Sequence, residues 1–306
     1  MIQQRCVAVI GAGSVGVAAA YAIFTRAAAS EILLLDRDTA RAEGHAMDLV
    51  QGTALVGRIN VRAASYPDLA RAQVVVVTAG RSQKRGETRL DLLRGNAEIV
   101  REIIAELDRH APEAVVLLAT NPVDILTHLA VRWSSRPAGR IFGSGTTLDS
   151  ARFRALIGSA LDVSPRSVHA YVLGEHGDSQ VPVWSHAALG GVPVALEAEE
   201  RKRIEDTTRN AAREIIARKG HTDLAIGVVI AHLVHAVLTD ERGVHPLSVP
   251  LEGRYGIGDV AMSVPCVLGQ HGIVRRLAPE LPPHEVAALH ASAEVLRAAT
   301  RDAGLA

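Results

Sequence analysis

His176 stands in YVLGEHGDSQ (171–180), between Glu175 and Asp178 and flanked by Gly174 and Gly177. An imidazole titrates near neutral pH, so it can both give and take a proton. A histidine in such company is a loop residue unless other groups converge on it. LDSARFR (148–154) offers two. Asp149 and Arg152 are three apart and share a face if the segment is helical, whereas Arg154, roughly 200° around from Arg152, points elsewhere. A buried Asp149 carboxylate would orient the imidazole and favour its protonated form. The Arg152 guanidinium can grip a carboxylate with two parallel hydrogen bonds. GRSQKRGETRLDL (80–92) is polar and contains Gly86, so it could close as a lid and bring Arg89 onto a carbonyl as the site dries. TNPVD (120–124) ends an apolar run, and its Asn121 amide could donate to a substrate oxygen. With hydride from a nicotinamide and a proton from His176, this set would reduce a 2-keto acid. Each piece alone has a plainer reading: a turn, a surface ion pair, a charged loop.

A nicotinamide needs a dinucleotide site. GAGSVG (11–16) matches G-x-G-x-x-G between a strand-like CVAVIGAG (6–13) and a helix-like VGVAAAYAIFTRAAA (15–29), the context the motif requires. Gly11 permits the tight turn, Gly13 lets backbone approach a pyrophosphate, and Gly16 lets the helix pack close to the sheet. The free N–H groups and partial positive charge of the helix start suit phosphates. Asp36 ends LLLD twenty residues after Gly16. There it can accept from both ribose hydroxyls and repel a 2′-phosphate, which favours NAD over NADP, although Arg37 follows it.

The surrounding elements have to position these residues. Apolar runs at 31–36, 59–64, 72–80 and 114–122 alternate with helical stretches at 39–52 and 89–111. Continuous apolar strands between helices indicate a parallel sheet covered on both faces. The expected fold is α/β: a doubly wound (Rossmann) parallel sheet over residues 1–143, followed by an α+β substrate domain over 144–306. In that second part VHAYVLGEHG and VPVWSHAALGGVPV suggest antiparallel strands. Helices are expected at 197–218, at 223–238 and from about Pro283, and RYGIGDVAMSVPCVLGQHGI (254–273) reads as a turn-bearing stretch.

The 306 residues are 48% apolar and only 3% aromatic, so the core must be mostly Ala, Val, Leu and Ile. Lys+Arg and Asp+Glu balance at 33 each, which leaves no global field for nucleic acid or an anionic membrane. Cys6 and Cys266 lie in apolar stretches and read as reduced core residues, suiting the cytoplasm. The opening MIQQRCVAVIGAG lacks a signal-peptide pattern, and no apolar run reaches the roughly 18 residues of a membrane helix. The charge run at 197–220 alternates signs at helical spacing and reads as a solvated face. His232 and His235 share a helix face without a third ligand, so packing and no metal is the reading. His186 also reads as structural.

From GAGSVG through TNPVD, LDSARFR and LGEHGDS to YGIGDVAMSVPCVLG, nearly the whole chain resembles the lactate/malate dehydrogenase family, and within it the bacterial lactate branch. The resemblance implies reversible hydride transfer between NADH and pyruvate, with His176 as general acid/base and Asp149 as its partner. It implies that Arg152 binds the substrate carboxylate, that Arg89 is the polarising arginine of the lid, that Asn121 touches substrate or nicotinamide, and that Thr222 lines the pocket. NAD contacts would come from Gly11, Gly13, Val15, Gly16, Asp36, Arg41, Tyr66, Gly80, Arg81, Asn121 and Ser144. The substrate-selecting lid position is Gln83. Family members acting on malate carry arginine there for the second carboxylate, so neutral Gln83 suits pyruvate.

Two departures bear on substrate choice. Arg85 stands where many lactate enzymes have proline, and HTDL lacks the aromatics often found after the pocket threonine. The resemblance also implies a homo-oligomer, a tetramer, with Arg154 and His169 from two subunits holding fructose bisphosphate across a twofold axis. Two rival readings remain. One is a malate enzyme in which Arg85 meets the extra carboxylate. The other is a catalytically silent NAD-binding module, against which the joint presence of His176, Asp149, Arg152 and Arg89 speaks.

Overall fold

The computed structural model describes residues 5–81 and 88–305, and of Arg89 only the backbone. Six short strands form the parallel part of the main sheet: β1 (Cys6–Ile10), β2 (Glu31–Leu35), β3 (Asn60–Ala63), β4 (Val74–Val77), β5 (Val115–Leu118) and β6 (Ile141–Gly143). Their order is β3-β2-β1-β4-β5-β6, parallel throughout. This is the doubly wound order, and the chain changes direction across the sheet between β1 and β4. The strands read CVAVI, EILLL, VVVV and VVLL because helices cover both faces; every residue of these four is buried. β-Branched residues suit such a twice-covered pleat.

The crossovers are α1 (Ser14–Thr25), α2 (Thr39–Gln51) with the short α3 (Thr53–Val56), α4 (Arg89–His110) and α5 (Val123–Trp133). Asp38 caps α2 by accepting from the N–H of Arg41, and Thr88 caps α4 by accepting from that of Asp91, each supplying an orphan donor of a first turn.

Beyond β6 the chain forms α6 (Thr147–Ala160), then a separate sheet of β7 (Val168–Leu173), β8 (Val181–Leu189) and β9 (Val192–Pro193). The antiparallel strands expected at VHAYVLGEHG and VPVWSHAALGGVPV are these. Next come α7 (Ala198–Lys219) and α8 (Leu224–Leu238). The nearly all-apolar α8 packs along α1, where a Cβ on Gly227 would come within 2.7 Å of the Ala18 backbone. Helix α8 thus locks the second half of the chain onto the first.

The stretch expected to be turn-bearing is largely strand. β10 (Val244–Pro250), β11 (Ala261–Gly269) and β12 (Gly272–Arg276) extend the main sheet antiparallel beyond β6 to nine strands. The second half therefore does not stand apart: it completes the sheet of the first through the Ser248–Gly143 bridge. AMSVPCVLG is buried almost continuously, so it lacks the alternation by which a half-buried strand is read. Its proline also argues against a central strand. In the structure Pro265 opposes Pro246, placing both missing donors at one rung of the ladder. The final helix, α9 (Pro283–Asp302), starts at the expected proline. No helix among the described residues is long and apolar enough to cross a membrane.

Candidate active site

The residues implicated in dinucleotide binding fall at the carboxyl ends of the parallel strands. Gly11, Gly13, Val15 and Gly16 follow β1, Asp36 follows β2, Tyr66 follows β3, Gly80 and Arg81 follow β4, Asn121 follows β5, and Ser144 follows β6. Arg41 lies in the first turn of α2, exposed and 3.6 Å from Asp38. In such sheets ligands bind outside this edge, at the switch point.

The glycine loop has the shape of a cradle. Gly11 adopts φ +103°, and a Cβ there would come 2.6 Å from the Ala79 nitrogen. A Cβ on Gly16 would overlap the Gly11 carbonyl, whereas one on Gly13 would meet nothing within 4 Å. The open side of the loop is thus at Gly13, where α1 begins without a side-chain cap. Its first N–H groups are left to bind an anion. Asp36 Oδ2 accepts from the Ala12 N–H at 2.7 Å and Oδ1 from the Asp38 N–H at 2.9 Å, which holds the carboxylate beside the loop. These residues fit a dinucleotide pyrophosphate and an adenosine ribose.

The residues expected to handle the proton come together at the start of α6 and in the turn between β7 and β8. His176 Nδ1 lies 2.6 Å from Asp149 Oδ2, and Arg152 Nη1 donates to Asp149 Oδ1 at 3.0 Å. The spacing of three residues does place Asp149 and Arg152 on one face. Asp149 is buried and the His176 side chain is 27% exposed, so the ring can meet a substrate while its acid is shielded. Burial alone would lower the pKa of His176. The Asp149 carboxylate and its hydrogen bond outweigh that, with help from Asp124, and hold it at about 9. Burial likewise works against ionised Asp149, but His176 and Arg152 keep its pKa below the ordinary range. With Nδ1 committed to Asp149, Nε2 is the nitrogen left for chemistry. Arg152 makes no other hydrogen bond among the described residues, and most of its five donors remain for a ligand.

Two further side chains complete the site, neither of them singled out from the sequence. Asp124, in the first turn of α5, is buried; its Oδ2 accepts from the backbone N–H of His176 at 2.7 Å and its Oδ1 from the Ser248 hydroxyl at 2.5 Å. Burial raises its pKa to about 6 against the lowering effect of those two bonds. Asn96, buried on α4, accepts from the Arg81 N–H and donates to the Asn121 carbonyl, both at 2.9 Å. It thereby ties the segment after β4 to the turn after β5. The Asn121–Pro122 peptide is cis, and Asn121 Oδ1 accepts from the Val123 N–H at 3.3 Å. Its Nδ2 has no hydrogen bond among the described residues. The signal for Asn96 was a polar residue on the α4 face shared by Leu93 and Val100. For Asp124 it was an acid opening an apolar helix.

Thr222 is half-buried between α7 and α8 and makes no hydrogen bond among the described residues. Gln83, Lys84 and Arg85 lie outside the described residues, as does the Arg89 side chain; the Arg89 backbone opens α4. Arg154 does point away from Arg152. It donates to the Pro165 carbonyl at 3.3 Å and shares a cavity of about 230 Å³ with exposed His169. His232 packs edge-on against His245 with ring centroids 5.0 Å apart, while His235 and His186 are exposed.

Comparison with known proteins covers nearly the whole chain. Residues 5–143 match the lactate/malate dehydrogenase NAD-binding domain, and residues 146–304 match the lactate/malate dehydrogenase alpha/beta C-terminal domain. The chain is 55% identical to an L-lactate dehydrogenase of Salinibacter ruber, covering 99% of this chain and 98% of that protein. It is 45% identical to an L-lactate dehydrogenase of Thermus aquaticus over 97% of this chain and 99% of that one. Among solved structures, a minor L-lactate dehydrogenase of Enterococcus mundtii in a ligand-bound form superposes with a TM-score of 0.95 at 40% identity, covering 98% of both chains.

Proposed function

Because the chain belongs to the lactate/malate dehydrogenase family, we propose that it is an NAD-dependent L-lactate dehydrogenase interconverting pyruvate and lactate. The observation that carries this reading is the 2.6 Å contact between His176 and an Asp149 carboxylate that also holds Arg152. In pyruvate reduction, protonated His176 gives its Nε2 proton to the carbonyl oxygen as that oxygen becomes a hydroxyl. In lactate oxidation the neutral ring takes the proton back. Asp149 fixes the ring and offsets its charge. Arg152 binds the substrate carboxylate with the donors that Asp149 leaves free. Asn121 donates to the substrate or the nicotinamide amide, Thr222 lines the pocket, and Arg89 polarises the carbonyl.

NAD, when bound, supplies or accepts the hydride. Gly11, Gly13, Val15 and Gly16 hold it, with Asp36, Arg41, Tyr66, Gly80, Arg81 and Ser144. Asp36 favours NAD over NADP by its charge. Gln83 selects pyruvate because a neutral amide offers no partner to a second carboxylate.

Several finer features belong to the same reading. We place the domain change near residue 143, with the substrate domain over 144–306. We also expect a homotetramer, for which the exposed apolar side chains on α1, α2, α3 and α8, among them Tyr21, Met47, Leu55 and Leu224, supply candidate contact residues. Arg154 and His169 in one cavity support fructose bisphosphate as an effector. Free, buried Cys6 and Cys266 support the cytoplasm. The deciding experiment measures kcat/KM for pyruvate and oxaloacetate with NADH and with NADPH, with and without the sugar bisphosphate. A preference for oxaloacetate overturns the substrate, equal use of NADPH overturns the role of Asp36, and an unchanged pyruvate KM removes the effector.

A further inference from the structure

Helices α5 and α9 face each other across a cavity of about 450 Å³ that no step above uses. His128 and Arg132 on α5 are four residues apart, as are Arg297 and Arg301 on α9, so each helix turns a basic pair toward it. All four line the cavity. Arg297 is neutralised: it donates to Asp259 at 2.9 and 2.6 Å and also pairs with Glu294. Arg132 and Arg301 have no carboxylate partner among the described residues. His128 Nδ1 is buried without a hydrogen-bond partner.

The two acids in the wall are already engaged, Asp259 by Arg297 and Asp124 by the His176 N–H and the Ser248 hydroxyl. Ile125, Val260 and Leu296 supply an apolar floor. Guanidinium groups without a carboxylate partner, carried on two helices that line one cavity, suit an oxyanion with several acceptors, since each can give parallel N–H bonds. The floor suits a short carbon body.

We propose that this cavity is a binding site for a small phosphate monoester, held by Arg132 and Arg301 with the His128 imidazole beside them. It is distinct from the cavity of Arg154 and His169, and it does not depend on which residues carry the catalysis.

Inorganic phosphate is the probe, titrated by calorimetry at low ionic strength into the NADH-bound enzyme carrying Arg154→Gln, which weakens the other cavity by removing one of its two arginines. Saturable binding is expected, weakened about tenfold or more when Arg132→Gln and Arg301→Gln are added, the size expected for losing two charge-assisted contacts. A thermal melt matching that of the Arg154→Gln enzyme serves as the check that the variant is folded. Arg301→Gln alone stands in should the combined variant not fold, with a severalfold loss expected. No saturable binding in the Arg154→Gln enzyme, or an affinity unchanged by the added substitutions, overturns the proposal.

Discussion

The backbone N–H of His176 donates to Asp124 at 2.7 Å while its ring contacts Asp149 at 2.6 Å. One histidine is thus held by two aspartates, one in the first turn of α5 and one in the first turn of α6. The first fixes where the turn sits; the second fixes how the ring points and which nitrogen is free. Both raise the pKa of the imidazole, Asp149 more than Asp124.

The pH dependence follows from that arrangement. His176 stands at about 9 against an ordinary 6.5, so the proton needed for pyruvate reduction is present at neutral pH. The kcat/KM for pyruvate should stay level through neutrality and fall as pH rises through about 9, while lactate oxidation rises over the same range. Asp149→Asn should move both turns toward the ordinary value. Stability obeys the same signs: the part owed to His176 is fully present below about 6.5 and lost as pH rises through about 9. The part owed to depressed Asp149 is present above its ordinary 3.8 and lost on acidification. Initial rates and thermal melts across pH test both. A profile unmoved by Asp149→Asn contradicts the coupling.

His176→Asn should lower kcat by about 10²–10⁴-fold, the usual worth of a positioned acid/base. The glycine loop and Asp36 lie after other strands, so NADH affinity, read by fluorescence titration, should be retained. Substantial turnover in this variant would mean that another group moves the proton.

Asp124 separates geometry from charge. Asp124→Asn keeps an acceptor for the His176 N–H and leaves an amide that can donate to Ser248. The turn should therefore stay in place, and the pH profile should shift downward by less than in Asp149→Asn. Asp124→Ala leaves a buried N–H and a buried hydroxyl without their acceptor, at a cost of about 1–3 kcal/mol each. Denaturant melts together with pH profiles distinguish the two variants. A profile as strongly shifted by Asp124→Asn as by Asp149→Asn would reverse the order of the two acids.

The part of this site legible in the sequence is the part built from local spacing. Asp149 and Arg152 meet because a helix brings positions three apart together, and Gly11, Gly13 and Gly16 act within one turn. Asp124 and His176 are 52 residues apart and meet only through the stacking of α5 against the β7–β8 turn, which no periodicity encodes. Asn96 is similar: its polar character on a buried helix face is visible, but its two partners, at Arg81 and Asn121, are set by the order of β4 and β5. The strands β10 and β11 escaped for a different reason. Burial on both faces erases alternation, and Pro246 and Pro265 each argue against a strand until they are seen to oppose each other.

The glycine loop gives a test in which two neighbouring substitutions must part company. A Cβ at Gly16 overlaps the Gly11 carbonyl and would come 2.8 Å from Thr78 Oγ1, so Gly16→Ala has to push α1 off the sheet. Such overpacking costs about 1–3 kcal/mol, visible as a lower melting temperature with or without cofactor. A Cβ at Gly13 meets nothing within 4 Å, and the residue has an ordinary φ of −79°, so the unliganded protein should accept Gly13→Ala without loss of stability. Where that methyl would stand is the space the pyrophosphate needs against the first turn of α1. NADH affinity should then fall about tenfold or more, while the melting temperature without cofactor holds. Thermal melts paired with NADH titration separate a residue that keeps the helix close from one that keeps the cradle open. Undiminished NADH affinity in Gly13→Ala would mean the phosphates bind elsewhere on the carboxyl edge of the sheet.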